Sequence, residues 1–478
     1  MVFNKNDVIG EGGYGCVHKP SLTCKKIPKS KSKSKFNYKS HISKIVELDE
    51  ANRELKEILI LGDADPDNLY HVGQPILCEP KLDKETFEAL SKCKYVDINN
   101  IKRNPQNYRL LISKYGGEDL HKFFTYSLDD YLLKNRQQKV DTILISIHAL
   151  IRGLKVFKEH SLVHNDLKPQ NILFNIETGA MKFIDFGMMR NKKTILEESM
   201  KSKNWLGVYH WSLPLECGLM NKDEYFKYKN MSYNEKQLYN TKLAECIILE
   251  KNNKNNDFSI SSPESFKTLF SYINPLYAIP NETTQYGYIN SYFNGINTLM
   301  RENISYEKVL NNIVDSIDIY GLGFTLLFII NCLSHRKAID LDVFMKLSVF
   351  FNKMCDFNIL NRETDLDLLI AEYEVILIEI GILTRMDKAF LNNRLVKSPS
   401  KTVSYKRLSR KLEEKSYADP EPIYNCPKRR EVNPYTRKCV KICKKGFKRN
   451  KTFKCIKNKN NNRNKNKNKK VRFQNDYK

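Results

Sequence analysis

Two short segments constrain this chain of 478 residues more than any other feature: His164-Asn165-Asp166-Leu167-Lys168-Pro169-Gln170-Asn171, and then Phe183-Ile184-Asp185-Phe186-Gly187. Between and within them, Ile172-Leu173-Phe174 and Met181 to Ile184 read as a β-hairpin around Glu177-Thr178-Gly179. Upstream, Val8 to Val17 reads as strand, glycine turn, strand. His41 to Val46 and Tyr108 to Ser113 read as further strands, and Leu48 to Leu61 has helical spacing. Asp141 to His160 is an amphipathic helix, Ser316 to Cys332 a strongly apolar one, and residues 340–391 carry several more. Strands concentrate early and helices dominate later, an order that predicts an α+β, two-lobed body.

The residue types in the two segments suit phosphoryl transfer, which asks a protein mostly for positioning and charge neutralisation. On these motifs the chain resembles the eukaryotic-type protein kinases. The resemblance covers roughly residues 2–395 and implies a small β-rich N-lobe, a larger helical C-lobe, and ATP and Mg²⁺ as cofactors. It implies that Asp166 accepts the proton of an attacking hydroxyl, that Lys168 reaches the γ-phosphate, and that Asn171 and Asp185 hold Mg²⁺. The Asp-x-Lys order resembles the Ser/Thr-specific subfamily, with protein substrates. The plainer alternative is that Asp166 and Asn171 cap a loop.

Ile9-Gly10-Glu11-Gly12-Gly13-Tyr14-Gly15-Cys16-Val17 resembles the kinase glycine loop, in which backbone N–H groups approach phosphates. A dinucleotide-binding fold would need a helix directly after the glycines, and Val17 onward looks like strand. Lys44 resembles the strand lysine that pairs the α/β-phosphates, and Glu54 its helix partner. Lys26 is the rival, because Ile42-Ser43-Lys44-Ile45 departs from the usual Val-Ala-Ile-Lys. Ser113 to Leu120 resembles the hinge, with backbone near Lys114 and Tyr115 facing adenine and Glu118 the ribose. Glu216 takes the place of the structural glutamate that ends the activation segment. Asp318 takes that of the aspartate bracing the catalytic loop.

Three departures stand out. Asn165 replaces the arginine that normally grips a phosphorylated activation loop, so activity independent of loop phosphorylation is expected. Thr194, Ser199 and Ser202 then read as ordinary exposed polar residues. Glu216 and Asp318 are separated by an Asn-, Tyr- and Lys-rich stretch, residues 217–312, which reads as an insertion, part helical and part loop, solvated in the plainer reading and recognising a substrate or partner in the other. The activation segment ends Pro-Leu-Glu, not Ala-Pro-Glu.

Charge is distributed unevenly. Of the formal net +25, residues 398–478 carry 27 basic and 6 acidic side chains, leaving about +4 for the body. Nucleic-acid binding by the whole chain is thereby disfavoured. The hinge divides the body into 2–113 and 114–397, with a basic loop insertion at 29–37. The tail reads as a linker (398–425), a cysteine module (426–456) and a disordered basic end (457–478). Cys426-Pro427 with Asn433-Pro434-Tyr435-Thr436-Arg437-Lys438-Cys439-Val440 resembles the two-cysteine adaptor module fused to enzymes of large nucleocytoplasmic DNA viruses. A viral kinase of mimivirus-like type, in host cytoplasm or virion, is what this implies. The spacing of the four tail cysteines lacks the close pairs of structural zinc sites, so free thiols or a disulfide are favoured over zinc. The tail could hold nucleic acid or another polyanion through its charge alone. The eight cysteines before residue 400 show no pairing pattern and read as reduced thiols. No signal peptide and no membrane contact are expected, because the run Ile317 to Cys332 is broken by Asp318 and glycines and is too short to span a bilayer. Rival readings are a pseudokinase scaffold, a tail-driven tethering protein and a small-molecule kinase.

Overall fold

The computed structural model describes residues 7–12, 15–26, 36–94, 96–250, 258–261, 265–274, 279–302 and 304–385, with four short strands within 430–457. They belong to two compact units, Met1–Pro399 and Ser400–Lys478. The basic loop at 29–35, the linker and the end beyond residue 457 lie outside the described residues, as do Cys426 and Cys443.

The first unit begins with an antiparallel sheet built from β1 (Asp7–Gly12), β2 (Gly15–Lys19), β3 (His41–Glu47), β4 (Ile76–Cys78) and β5 (Tyr108–Lys114), in the order β1-β2-β3-β5-β4. Helix α1 (Leu48–Ala64) follows β3 directly; α2 (Lys84–Leu90) and α3 (Ile98–Arg103) lie between β4 and β5. Strand alternation sorts the side chains onto two faces. Val46 and Leu111 pack with Ala51 and Leu55 of α1. On the other face Cys16, Ile45, Leu110 and Ile112 pack with Ala89, Leu90 and Ile101 of α2 and α3. Lys44 is two residues from Val46 and opposite Leu111, so it shares the α1 face.

Four of the cysteines expected to be reduced thiols are joined here, Cys16 to Cys93 and Cys24 to Cys78. Their separations of 77 and 54 residues are bridged only by the sheet and the 79–107 cover, so no local spacing betrays them. Cys217, Cys246, Cys332 and Cys355 are free and buried.

The helical remainder starts with β6 (Glu118–Asp119) and the short turns α4 (Leu120–Lys122) and α5 (Leu128–Leu132), then α6 (Arg136–Glu159) and β7 (Leu162–Val163). Next come β8 (Ile172–Phe174), β9 (Met181–Phe183), β10 (Arg190–Asn191), α7 (Lys192–Met200) and β11 (Tyr209–His210). The expected hairpin pairs Ile172 with Phe183. Helices α8 (Lys222–Asn230) and α9 (Tyr233–Ile248), strand β12 (Ile260–Ser261) and helices α10 (Phe266–Ile273) and α11 (Glu282–Arg301) occupy the 217–312 stretch. They are followed by α12 (Tyr306–His335), α13 (Leu341–Cys355), α14 (Leu366–Glu379) and α15 (Ile382–Arg385). Helix α6 buries Val140, Ile143, Leu144, Ile147, Leu150, Ile151 and Leu154, the helical period its sequence predicts.

Two expectations are corrected here. The 217–312 stretch is core: Tyr225, Tyr228, Leu243, Phe266, Leu269, Tyr272, Ile289 and Tyr292 are fully or almost fully buried in the same cluster as α6 and α12. Tyr228 buries its ring and still satisfies its hydroxyl, which donates to Asn240 Oδ1 at 3.0 Å. The apolar run lies within α12, a helix that at 30 residues is long and apolar enough to cross a membrane, but 89% of its most apolar stretch is buried inside the body.

In the second unit β13 (Arg430–Val432) pairs with β14 (Cys439–Lys441) and β15 (Phe447–Arg449) with β16 (Cys455–Lys457), both antiparallel.

Candidate active site

The glycine hairpin is β1 and β2, with Gly10 opposite Val17 and Gly12 opposite Gly15. Gly15 is required by packing: a Cβ there would lie 2.5 Å from the Ile45 carbonyl oxygen. Gly13 and Tyr14 lie outside the described residues. Val17 is paired with Lys44 and so lies on the α1 face, whereas Cys16 is paired with Ile45 and faces the α2–α3 cover. Glu11 also turns to that cover, where its carboxylate accepts from the Lys94 N–H. The side chains of Glu11 and Cys16 thus face the cover, which leaves the reading of backbone N–H groups toward phosphate untouched. Lys122 Nζ donates to the Ile9 carbonyl at 2.7 Å, linking the helical part to β1.

On the α1 face, Lys44 forms an ion pair with Glu54. Burial pushes the Glu54 carboxyl up, against the pull of the Lys44 charge, with Asp185 adding to the upward push. Lys26, the rival, is exposed and has no contact with Glu54. Just after β5, the Tyr115 N–H donates to the Ser40 carbonyl at 3.3 Å, and Lys19 Nζ sits 3.2 Å from the Tyr115 ring centre. Burial, reinforced by Glu118, Glu177 and Asp119, pushes the Tyr115 hydroxyl up to about 12.

The His164-to-Asn171 segment hangs from α12. Asp318 accepts from the His164 N–H at 2.7 Å and the Asn165 N–H at 2.9 Å. Burial raises its carboxyl, and the two backbone N–H groups oppose that. Gly321 lets the helix come this close, since a Cβ would meet the Leu167 carbonyl oxygen at 2.6 Å. Asn165 has a left-handed φ of 66°, a conformation asparagine tolerates. Its amide donates to the carbonyls of Val163 (3.0 Å) and Met188 (2.9 Å), tying the loop to the next segment without charge.

Asp166 is buried and held from several sides. Lys168 Nζ donates to both its oxygens at 2.8 and 2.7 Å, and Asn171 Nδ2 to its carbonyl and its Oδ2, both at 2.8 Å. Ser212, itself 2.8 Å from His210 Nδ1, lies 3.4 Å from Oδ1. The β8–β9 hairpin then delivers Asp185, and the Ile184 N–H bonds to the Asn171 carbonyl at 3.0 Å. Phe186 is buried against the rings of His71, Phe157 and His164. Asp185, with φ of 60°, is left exposed and without a hydrogen-bond partner among the described residues. With Asn171 Nδ2 committed to Asp166, its amide oxygen remains available. An unspent carboxylate and an unspent amide oxygen, on segments joined by the Ile184–Asn171 bond, are donors that suit a hard divalent cation.

Sequence reasoning missed Arg362. Its guanidinium donates to both oxygens of Glu216 at 3.0 and 3.2 Å, to Ser316 Oγ at 3.0 Å and to the Asp356 carbonyl at 2.8 Å. Arg362 lies in a loop far along the chain, with no motif around it. Between Asp185 and Glu216, Arg190 pairs with Glu198 at 2.6 Å and Lys192 with Asp315 at 2.6 Å. Thr194 is exposed as expected, but Ser199 is buried and bonded to Asn204 at 2.9 Å. Ser202 Oγ accepts from the Asp223 N–H at 2.9 Å.

The protein kinase domain family matches residues 84–209, which include Asp166, Lys168, Asn171 and Asp185 but not Lys44, Glu54 or the glycine hairpin. The mitogen-activated protein kinase hog1 of Aspergillus terreus is 30% identical over 132 residues, 25% of this chain and 34% of that protein. Its counterpart sakA of Aspergillus fumigatus is likewise 30% identical over 132 residues, 25% and 33% of the two chains. HOG1 of Exserohilum turcicum is 31% identical over 117 residues, 23% and 32%. The chain thus spans about a third of the length of these relatives. The matched stretch is similar to protein kinase domain sequence, and the body around it is α+β, with a sheet-rich first part and a helical remainder.

Proposed function

We propose that this chain is an ATP-dependent protein kinase that transfers the γ-phosphoryl group to Ser or Thr hydroxyls of protein substrates. The observation that carries the reading is the arrangement around Asp166: a buried carboxylate fixed by Lys168 and Asn171, next to an exposed Asp185. Asp166 accepts the proton of the attacking hydroxyl, while Lys168 neutralises charge on the transferred group. Lys44, oriented by Glu54, pairs the α/β-phosphates under the glycine hairpin. Asn171 Oδ1 and the Asp185 carboxylate would hold Mg²⁺, which would offset phosphate charge. The relatives' names are those of mitogen-activated protein kinases, which supports a protein substrate.

The pseudokinase reading is disfavoured because the Lys44–Glu54 pair and the Asp166 cluster are both assembled. In the same reading the enzyme is of the large-DNA-virus type, working in host cytoplasm or virion. Its tail, residues 398–478, anchors it to a polyanion through charge. Deleting that tail should leave phosphoryl transfer intact and reduce salt-sensitive polyanion binding. Peptide arrays carrying Ser, Thr or Tyr as the sole acceptor test the specificity. Label on Ser and Thr peptides is expected; label confined to Tyr peptides would overturn it.

A further inference from the structure

We propose that Cys16 and Cys93 form a thiol–disulfide exchange site, whose oxidation clamps the glycine hairpin in its nucleotide-receiving position. The nucleotide part rests on the kinase reading above.

The bond ties β2, one residue after Gly15, to the cover between α2 and α3. Its neighbours grip the same hairpin. Lys92 pairs with Asp7 on β1 at 2.8 Å, and the Lys94 N–H donates to Glu11. Three successive residues thus hold both strands. The Lys92–Asp7 pair is solvent-exposed and weak on its own, so the covalent link carries most of the hold.

The chemistry around the sulfurs suits exchange. His18 Nε2 lies 3.5 Å from Cys93 Sγ and 3.9 Å from Cys16 Sγ. It also lies 3.3 Å from the Ala89 carbonyl, while Nδ1 is buried without a hydrogen-bond partner. Keeping the proton on Nε2 satisfies that carbonyl and avoids burying an orphan N–H. That N–H then faces both sulfurs and stabilises a thiolate on either. Burial pulls the His18 ring down, keeping it neutral. Cys93 is partly exposed, so an external thiolate can reach it. The second disulfide differs: Cys24 and Cys78 are both buried, and among the described residues neither sulfur makes a hydrogen bond.

Reduction begins when a thiolate RS⁻ attacks Cys93 Sγ. The Cys16–Cys93 bond breaks, and Cys16 leaves as a thiolate held by the His18 N–H, then takes a proton from solvent. A second RS⁻ attacks the R-group sulfur of the mixed disulfide, releasing Cys93 as thiolate and RSSR. Two external thiols are oxidised as one protein disulfide is reduced; a small disulfide such as oxidised glutathione drives the reverse. Oxidation preorganises the hairpin, which lowers the ordering cost of nucleotide binding.

The test uses the full unmodified chain, equilibrated in graded glutathione buffers, quenched by alkylation and mapped by mass spectrometry. Binding of a fluorescent ATP analogue with Mg²⁺ is read in parallel. Cys16–Cys93 is expected to open before Cys24–Cys78, with at least about fivefold weaker nucleotide binding once it opens. Cys93→Ser should bind like the reduced wild type and ignore the buffer. If Cys24–Cys78 opens first, the exchange site is overturned; if affinity is equal in both states, the clamp is overturned. Absence of nucleotide binding in every state would overturn the kinase reading and the clamp with it, while the alkylation map alone would still decide the exchange site. The wild-type titration stands even where Cys93→Ser does not fold.

Discussion

Replacing Arg362 with leucine should destabilise the body through Glu216. Both side chains are almost completely inaccessible, at 1% and 0% exposure, and Arg362 supplies two hydrogen bonds to the carboxylate. Without it, a buried charge is left uncompensated, a loss of about 3–5 kcal/mol. Burial already holds the Glu216 carboxyl above its ordinary range, and the Arg362 charge is what opposes that rise. In Arg362→Leu the folded-state pKa of Glu216 rises further. A carboxyl raised in the folded state favours folding below its unfolded pKa, and that contribution is lost as pH climbs through the folded value. The deficit against wild type should therefore be smallest near the unfolded carboxylate pKa and grow towards neutrality. Glu216→Gln combined with Arg362→Leu removes the charge and should recover more than half of the loss at neutral pH. Urea unfolding of the three proteins at several pH values measures this. A deficit below about 1 kcal/mol, or one unchanged with pH, would refute the reasoning.

Lys44→Met should lower kcat/KM for ATP by about 10²–10³, with Lys26→Ala close to wild type; steady-state kinetics on the two variants decides between the lysines. Thr194→Ala and Ser202→Ala should leave activity within about twofold, because Asn165 joins the loop segments without a phosphate-gripping charge, whereas Ser199→Ala should lower stability by roughly 1 kcal/mol through its lost bond to Asn204. Abolished activity in the Thr194/Ser202 double variant would contradict phosphorylation-independent activity.

Much of this site is legible in the amino-acid order because its parts are local. The Asp166-to-Asn171 turn, the β8–β9 hairpin and the Lys44–Glu54 spacing each sit within a few turns of chain, where residue order dictates geometry. What cannot be read that way depends on distant partners. Arg362 meets Glu216 across 146 residues, and Cys16 meets Cys93 across 77. The 217–312 stretch reads as solvated because its burial is carried by tyrosines, whose hydroxyls mask their apolar area until partners such as Asn240 are in place. Ser199 reads as exposed for a related reason: small polar residues are buried whenever a neighbour, here Asn204, satisfies them. The apolar run in α12 reads as too short because Asp318 and glycines interrupt it, yet Asp318 is satisfied by the His164 and Asn165 N–H groups and Gly321 packs against Leu167.

The most direct test of the central claim is phosphate transfer from radiolabelled ATP to a generic basic protein, comparing wild type with Asp166→Ala at matched nucleotide occupancy. The account predicts transfer by wild type and a loss of at least about 10²-fold in the variant, with nucleotide binding retained. Equal label from both proteins, or none from either with nucleotide bound, would contradict it.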